Sequence, residues 1–192
     1  MVLLDVCWLS LQEKGYKMKN KVQLLCIDPG TRKMGMAVFE VNHKKKAGRL
    51  IKYFVVLVPK SQGEWQDRID MMANKAIQFC NTSRPDIVLI EGPRLFLSTR
   101  KGRAASNSSA ILKLVAVVYC MAGALRALFT EDVIVVGVQK WKGNVPKEIT
   151  QRRVARHWNC RSGDDNITDA VGIGDWYIRK QLGYKPPYHR RD

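Results

Sequence analysis

Three apolar segments of this chain end on carboxylates or carry them at one edge. Asp28 closes Val22-Gln23-Leu24-Leu25-Cys26-Ile27, and Glu91 closes Ile87-Val88-Leu89-Ile90. Asp165 and Asp169 sit at the start of a third segment that runs on through Ala170, Val171, Gly172, Ile173 and Gly174. Unbroken apolar runs of this kind read as strands covered on both faces, and strand ends are where open α/β sheets place their chemistry. Carboxylates gathered there repel one another unless a cation intervenes, and an all-oxygen donor set suits magnesium, with manganese able to substitute. Two such cations held about 3.5 to 4 Å apart support phosphodiester hydrolysis.

Each acid also has an ordinary role. Asp28-Pro29-Gly30 is a strong turn sequence, and Asp165, or Asp164 equally, would cap a final helix. Glu91 directly continues an apolar strand, so it is partly buried and needs a partner to stay ionised, which a lysine or arginine would also supply. Asp169 is harder to assign to a cap, because it lies one turn inside the helix beside the stripe Ala170, Ile173, Gly174 and Tyr177, facing the sheet margin. Gly172 and Gly174 each cost a helix about 0.8 to 1 kcal/mol relative to alanine. Close approach of helix to sheet is the compensation, and it brings Asp169 within reach of Asp28 and Glu91.

The elements that must position these acids follow from periodicity. Three antiparallel strands are expected, ending near Asp28, then Met34 to Val41 and Leu50 to Val58, joined by the turn Pro29 to Lys33 and the basic link His43 to Arg49. Apolar residues at helical spacing from Trp65 to Cys80 predict a helix stopped by Arg84-Pro85, followed by the strand Asp86 to Glu91. A basic loop leads to a long apolar helix over 109–129, a fifth strand over 133–138, a helix opened by Pro146 and running to Trp158, and a last helix over 166–182. The order β-β-β-α-β-α-β-α-α predicts an α/β fold, a mixed five-stranded sheet with helices on both faces. Residues 18–183 are expected to form the single domain, with 1–17 as a loose extension and 184–192 as a basic tail.

Thirty-three Lys plus Arg against 17 Asp plus Glu leave a net charge of +16 in a chain of 192 residues that is 46% hydrophobic. A globular composition with this excess points to a polyanionic partner, nucleic acid first. The charge clusters over Arg94 to Arg103 and Lys140 to Arg156. Five cysteines without a CxxC pair fit reduced thiols and a cytoplasmic, reducing compartment. The most apolar stretch, Leu114 to Leu125, is too short to span a bilayer, so no membrane partner is expected. Neither an acyl-transfer triad nor a Gly-rich nucleotide-phosphate loop is visible, so no nucleotide cofactor is expected. His157, between Arg156 and Trp158, has no second histidine nearby to make a metal site, and His43 and His189 are expected to face solvent.

Taken together, LLCIDPGTRKMGMAVFE, DIVLIEGP, VQKWKGNVPKE and DDNITDAVGIG resemble the RuvC family of Holliday junction resolvases, particularly its divergent viral members, over about Val22 to Lys180. The resemblance implies an RNase H-like fold and a homodimer that nicks four-way DNA junctions symmetrically, leaving 5′ phosphate and 3′ hydroxyl ends, in the host cell cytoplasm for a viral protein. It implies metal-binding roles for Asp28, Glu91 and Asp169, with two ions per site. In the bacterial members the penultimate acid lies three residues before the last, where this chain has Asn166; Asp165 lies four before. Both positions share a helical face with Asp169. Asp165 is the expected fourth ligand because a carboxylate adds negative charge, with Asn166 as the alternative.

The resemblance also gives Lys140, Lys142 and Lys147 a place near the scissile phosphate, Lys147 as a catalytic point charge, against the plainer role of a solvated helix entrance. Arg94, Arg100, Lys101 and Arg103 surround Phe96, which would wedge into or stack on an opened junction base or, more plainly, cap the core. The long helix, through Val115, Val118, Ala122 and Leu125, is a candidate dimer interface as well as candidate core. Two other functions fit the same residues: a less selective branched-DNA or flap nuclease of the RNase H superfamily, and a junction-binding protein without catalysis. An ATPase of the actin and sugar-kinase kind would need more chain and a second phosphate loop.

Overall fold

The computed structural model describes residues 19–93, 109–129 and 132–186. The first apolar run is strand β1 (Lys21–Asp28), which continues into β2 (Lys33–Asn42) and β3 (Ala47–Leu57) as an antiparallel meander. Helix α1 (Trp65–Ser83), strand β4 (Ile87–Gly92), helix α2 (Ser109–Leu128) and strand β5 (Val133–Gly137) follow. The short helix α3 (Val138–Trp141) leads to α4 (Lys147–Trp158) and α5 (Asp165–Trp176), and α5 runs into a π-helical turn, Tyr177–Gln181. The sheet order is β3-β2-β1-β4-β5, with β4 parallel to both β1 and β5. This is the mixed five-stranded sheet expected from the sequence.

Alternation along the strands builds two cores. Leu25, Ile27, Val88 and Ile90 pack against Met72 and Ala76 of α1 and Val118 and Met121 of α2. Leu24, Cys26, Leu89 and Val136 face the other way, against Trp158 of α4 and Ala170 and Ile173 of α5. The same period of two decides where the acids point. Asp28 follows Leu24 and Cys26, and Glu91 follows Leu89, so both carboxylates emerge on the face covered by α5.

Several boundaries differ from expectation, each for a local reason. Helix α1 runs to Ser83, where Arg84 takes a left-handed conformation (φ 46°) and donates its N–H to Cys80 O at 2.8 Å. The last helix changes to π-type hydrogen bonding after Trp176, with Leu182 N–H bonded to Tyr177 O. Tyr184 and Lys185, expected to begin a loose tail, are tied to the domain: Tyr184 Oη lies 2.8 Å from His43 Nδ1, and Lys185 bridges Ala47. His43 is therefore half-buried, not solvent-facing. Residues 1–17 and 187–192 lie outside the described residues.

Helix α2 also differs. At 20 residues it is long and apolar enough to cross a bilayer by length and composition, which the shorter stretch seen in the sequence was not. Its inner face is core all the same: of the residues that were candidates for both core and interface, Val118, Ala122 and Leu125 are fully buried under the sheet. The outward apolar residues are Leu112, Tyr119 and Leu128, which are 64%, 56% and 60% exposed.

Candidate metal centre and nucleic-acid interface

Parallel pairing of β1 with β4 sets Ile27 beside Ile90, so the next residues, Asp28 and Glu91, emerge side by side at the strand ends. Helix α5 brings Asp169 to the same point. One oxygen from each of the three carboxylates lies within 4.8 Å of the others. The approach of α5 depends on glycines. Gly35 pairs with Asp28 across the hairpin, and a β-carbon there would collide with the backbone of Asn166 at the helix start. A β-carbon at Gly174 would collide with the Phe39 ring on β2, and one at Gly172 with Trp141. Of the two helix glycines expected to let α5 approach the sheet, Gly174 does so, with Gly35 as its unforeseen counterpart on the sheet, whereas Gly172 lies on the side turned to Trp141 and Thr150.

The cluster is short of positive charge. Lys142, just after α3, places Nζ 2.7 and 2.8 Å from the two oxygens of Asp169. Its ammonium lies 5.3 Å from the Trp141 ring centre, and its side chain is 17% exposed. Asn166 Nδ2 donates to Asp28 Oδ2 at 3.0 Å. Glu91 Oε2 is buried without a hydrogen-bond partner among the described residues. Burial raises the Asp28 carboxyl to about 8, with Asp169 adding to the rise and Asn166 and Lys142 opposing it. Burial likewise raises Glu91 to about 9, with Asp28 and then Asp169 adding, against Lys142. One lysine for three converging acids leaves charge that a divalent cation would neutralise, and the orphaned Glu91 oxygen is a ready ligand. The residues fit a hard, oxygen-seeking ion.

Asp165 stands apart from the cluster. It is the first residue of α5 and turns toward α4, where Lys147 Nζ lies 2.6 Å and Gln151 Nε2 3.4 Å from its carboxylate; the Asp165 side chain is 55% exposed. The helix phase explains the departure from the expected foursome. Asn166 is the residue packed onto Gly35 and Asp28, so its neighbour Asp165 points about 100° away around the axis. The N-cap is Asp164, which accepts from Asn166 N–H at 3.0 Å and pairs with Lys33. Lys147 opens α4, and its bond to Asp165 raises it above the usual lysine value. Lys140 is exposed on α3. Arg94, Phe96, Arg100, Lys101 and Arg103 lie outside the described residues.

One buried acid escaped sequence reasoning. Asp175, 4% exposed, accepts from Trp158 Nε1 at 2.8 Å, lies 2.9 Å from His157 Nδ1 and pairs with Arg179 at 3.4 Å. Its position inside Ile173-Gly174-Asp175-Trp176 was the available signal, since a carboxylate in such a run needs partners. His157 serves this network.

Neither a protein-family model nor a curated protein sequence matches the chain. Solved structures do. Thermus thermophilus RuvC superposes with a TM-score of 0.62 at 20% identity, covering 85% of this chain and 99% of that one. Fowlpox virus resolvase, solved with Holliday junction DNA, gives 0.54 at 15% identity, covering 83% and 99%. The yeast mitochondrial Holliday junction resolvase gives 0.54 at 15% identity, covering 92% and 87%. By these superpositions, the chain has the RNase H-like fold of RuvC and the Holliday junction resolvases.

Proposed function

We propose that the protein is a divalent-metal-dependent endonuclease that resolves four-way or other branched DNA junctions. The observation that carries this reading is the convergence of Asp28, Glu91 and Asp169, with an unsatisfied Glu91 oxygen, at the end of β1 and β4. The fold shared with structures of junction resolvases and the charge of +16 support it.

Asp28, Glu91 and Asp169 would hold magnesium or manganese, two ions per site, with Asn166 or Asp165 as a fourth ligand. The bound cations supply activation of water and stabilisation of the leaving 3′ oxygen. The chain's own groups do the rest. Asn166 orients the Asp28 carboxylate through its amide. Lys142 holds Asp169 from the side of α3, and its ammonium is placed to stabilise charge gathering on the attacked phosphate. Lys147, at the start of α4, and Lys140, exposed on α3, attract the DNA backbone. Branch recognition falls to Phe96 among Arg94, Arg100, Lys101 and Arg103. Two cuts in strands of like polarity call for a homodimer, and the outward face of α2, Leu112, Tyr119 and Leu128, is the apolar surface that fits it. Among the described residues the cysteines Cys26, Cys80, Cys120 and Cys160 are free, which agrees with a reducing cytoplasm.

The test is incubation with labelled four-way, three-way, flap and linear substrates in magnesium. Junction cutting that exceeds linear cutting by more than about tenfold, a gap of 1.4 kcal/mol, supports the reading. Equal cutting of all branches favours the less selective nuclease, and tight junction binding without cutting favours the inactive binder.

A further inference from the structure

Beyond the acidic cluster, across α3, lies a cleft of about 840 Å³ between α3, α4 and the end of α5. Seven lysines and arginines line it, against a single acid among the described residues, Asp175. That acid is 4% exposed and already held by His157, Trp158 and Arg179. Lys140, Arg152, Arg153, Arg156 and Lys180 line the cleft with no carboxylate partner among the described residues. Arg152, Arg153 and Arg156 follow one face of α4, the first and last separated by about 6 Å along the axis. This face is distinct from the one bearing Lys147 and Gln151, which turns to Asp165.

Uncompensated cations packed this closely repel one another, and a polyanion removes that repulsion. A row of charges along a helix suits successive phosphates better than one small anion. Val145 and Ile149 add apolar wall between the charges. Lys142 connects the cleft to the cluster: its ammonium bonds Asp169 while the residue lines the cleft.

We propose that this cleft carries the phosphodiester backbone of a DNA arm running on from the acidic cluster. The assignment rests on the nuclease reading and adds to it a second, non-catalytic DNA contact by Arg152, Arg153, Arg156 and Lys180.

The experiment measures binding of the full chain to a synthetic four-way junction over a range of salt, with wild-type cutting in magnesium followed on the same preparation. Each phosphate contact contributes about 0.9 to the slope of log affinity against log salt. Arg152→Gln with Arg156→Gln should lower that slope by about 2 and weaken binding about tenfold. The loss should raise the DNA concentration needed for half-maximal cutting. Lys140→Gln with Lys180→Gln, on the other walls, should do the same and replaces the first pair if that one fails to fold. Lys44→Gln with Lys45→Gln, in the hairpin turn at the far end of the sheet, should leave the slope unchanged. Wild-type cutting with unchanged slopes in the cleft variants overturns the cleft alone, as does an equal fall in the hairpin variant. Absence of wild-type binding and cutting overturns the nuclease reading and the cleft with it.

Discussion

Lys142 grips both oxygens of Asp169, at 2.7 and 2.8 Å, while hydrogen-bonding neither Asp28 nor Glu91. A single ammonium is thereby spent on one of three converging acids. The other two are protonated well above their ordinary range, Asp28 to about 8 and Glu91 to about 9, chiefly by burial.

This arrangement ties metal binding to pH. A carboxyl whose folded value is raised contributes stability that is full below its ordinary value, 3.8 for Asp28 and 4.5 for Glu91, and is lost as pH rises through the folded value. The metal-free protein should therefore lose stability from about pH 4 to about pH 9. A divalent cation binds the ionised form and expels the protons, so stabilisation by magnesium or manganese should grow across the same window. Thermal unfolding with manganese and with EDTA at several pH values reads this directly. A metal-induced shift that is flat or falling with pH would contradict it.

Asn166 and Asp165 can be ranked by their contacts. Asn166→Ala removes the amide that orients Asp28, a loss comparable to about 10- to 100-fold in metal affinity or activity for such supporting groups. Asp165→Asn removes an exposed ion pair with Lys147, worth about 0 to 1 kcal/mol, and should cost less than about fivefold. Cleavage rates at limiting magnesium decide, and the reverse order would assign the fourth ligand to Asp165.

The outward face of α2 gives a third expectation. Tyr119→Asp puts a charge on a residue that is 56% exposed, so the fold should survive while dimerisation is lost. Sedimentation velocity should show a monomer, with paired cutting reduced to slow single nicks. A wild-type protein that is monomeric where it cuts, or a variant that remains dimeric, would remove this face as the interface.

Periodicity was enough to place the five strands and the long helices, because alternation and helical stripes are local properties of the chain. It also placed Asp28, Glu91 and Asp169 together, since strand ends and a glycine-thinned helix leave few other arrangements. Choosing between Asp165 and Asn166 needed the rotation of α5, which is set by Gly35 from a distant hairpin. The same distance hid Lys142 as the partner of Asp169, and Asp175 as the hub for His157 and Trp158. Charge counting favoured Asp165, whereas packing brought the neighbouring amide to the acids.

Glu91 is the acid of the cluster with a buried oxygen that has no partner among the described residues, so its replacement reports on the central claim most directly. The measurement is cleavage and binding of one labelled four-way junction by wild type and by Glu91→Gln, side by side in magnesium. The wild type should nick opposing strands, and the variant should bind at least as tightly, having lost an acid near the DNA, while cutting falls at least about a hundredfold, a barrier increase near 2.7 kcal/mol. A Glu91→Gln protein that cuts the junction at the wild-type rate would contradict the account.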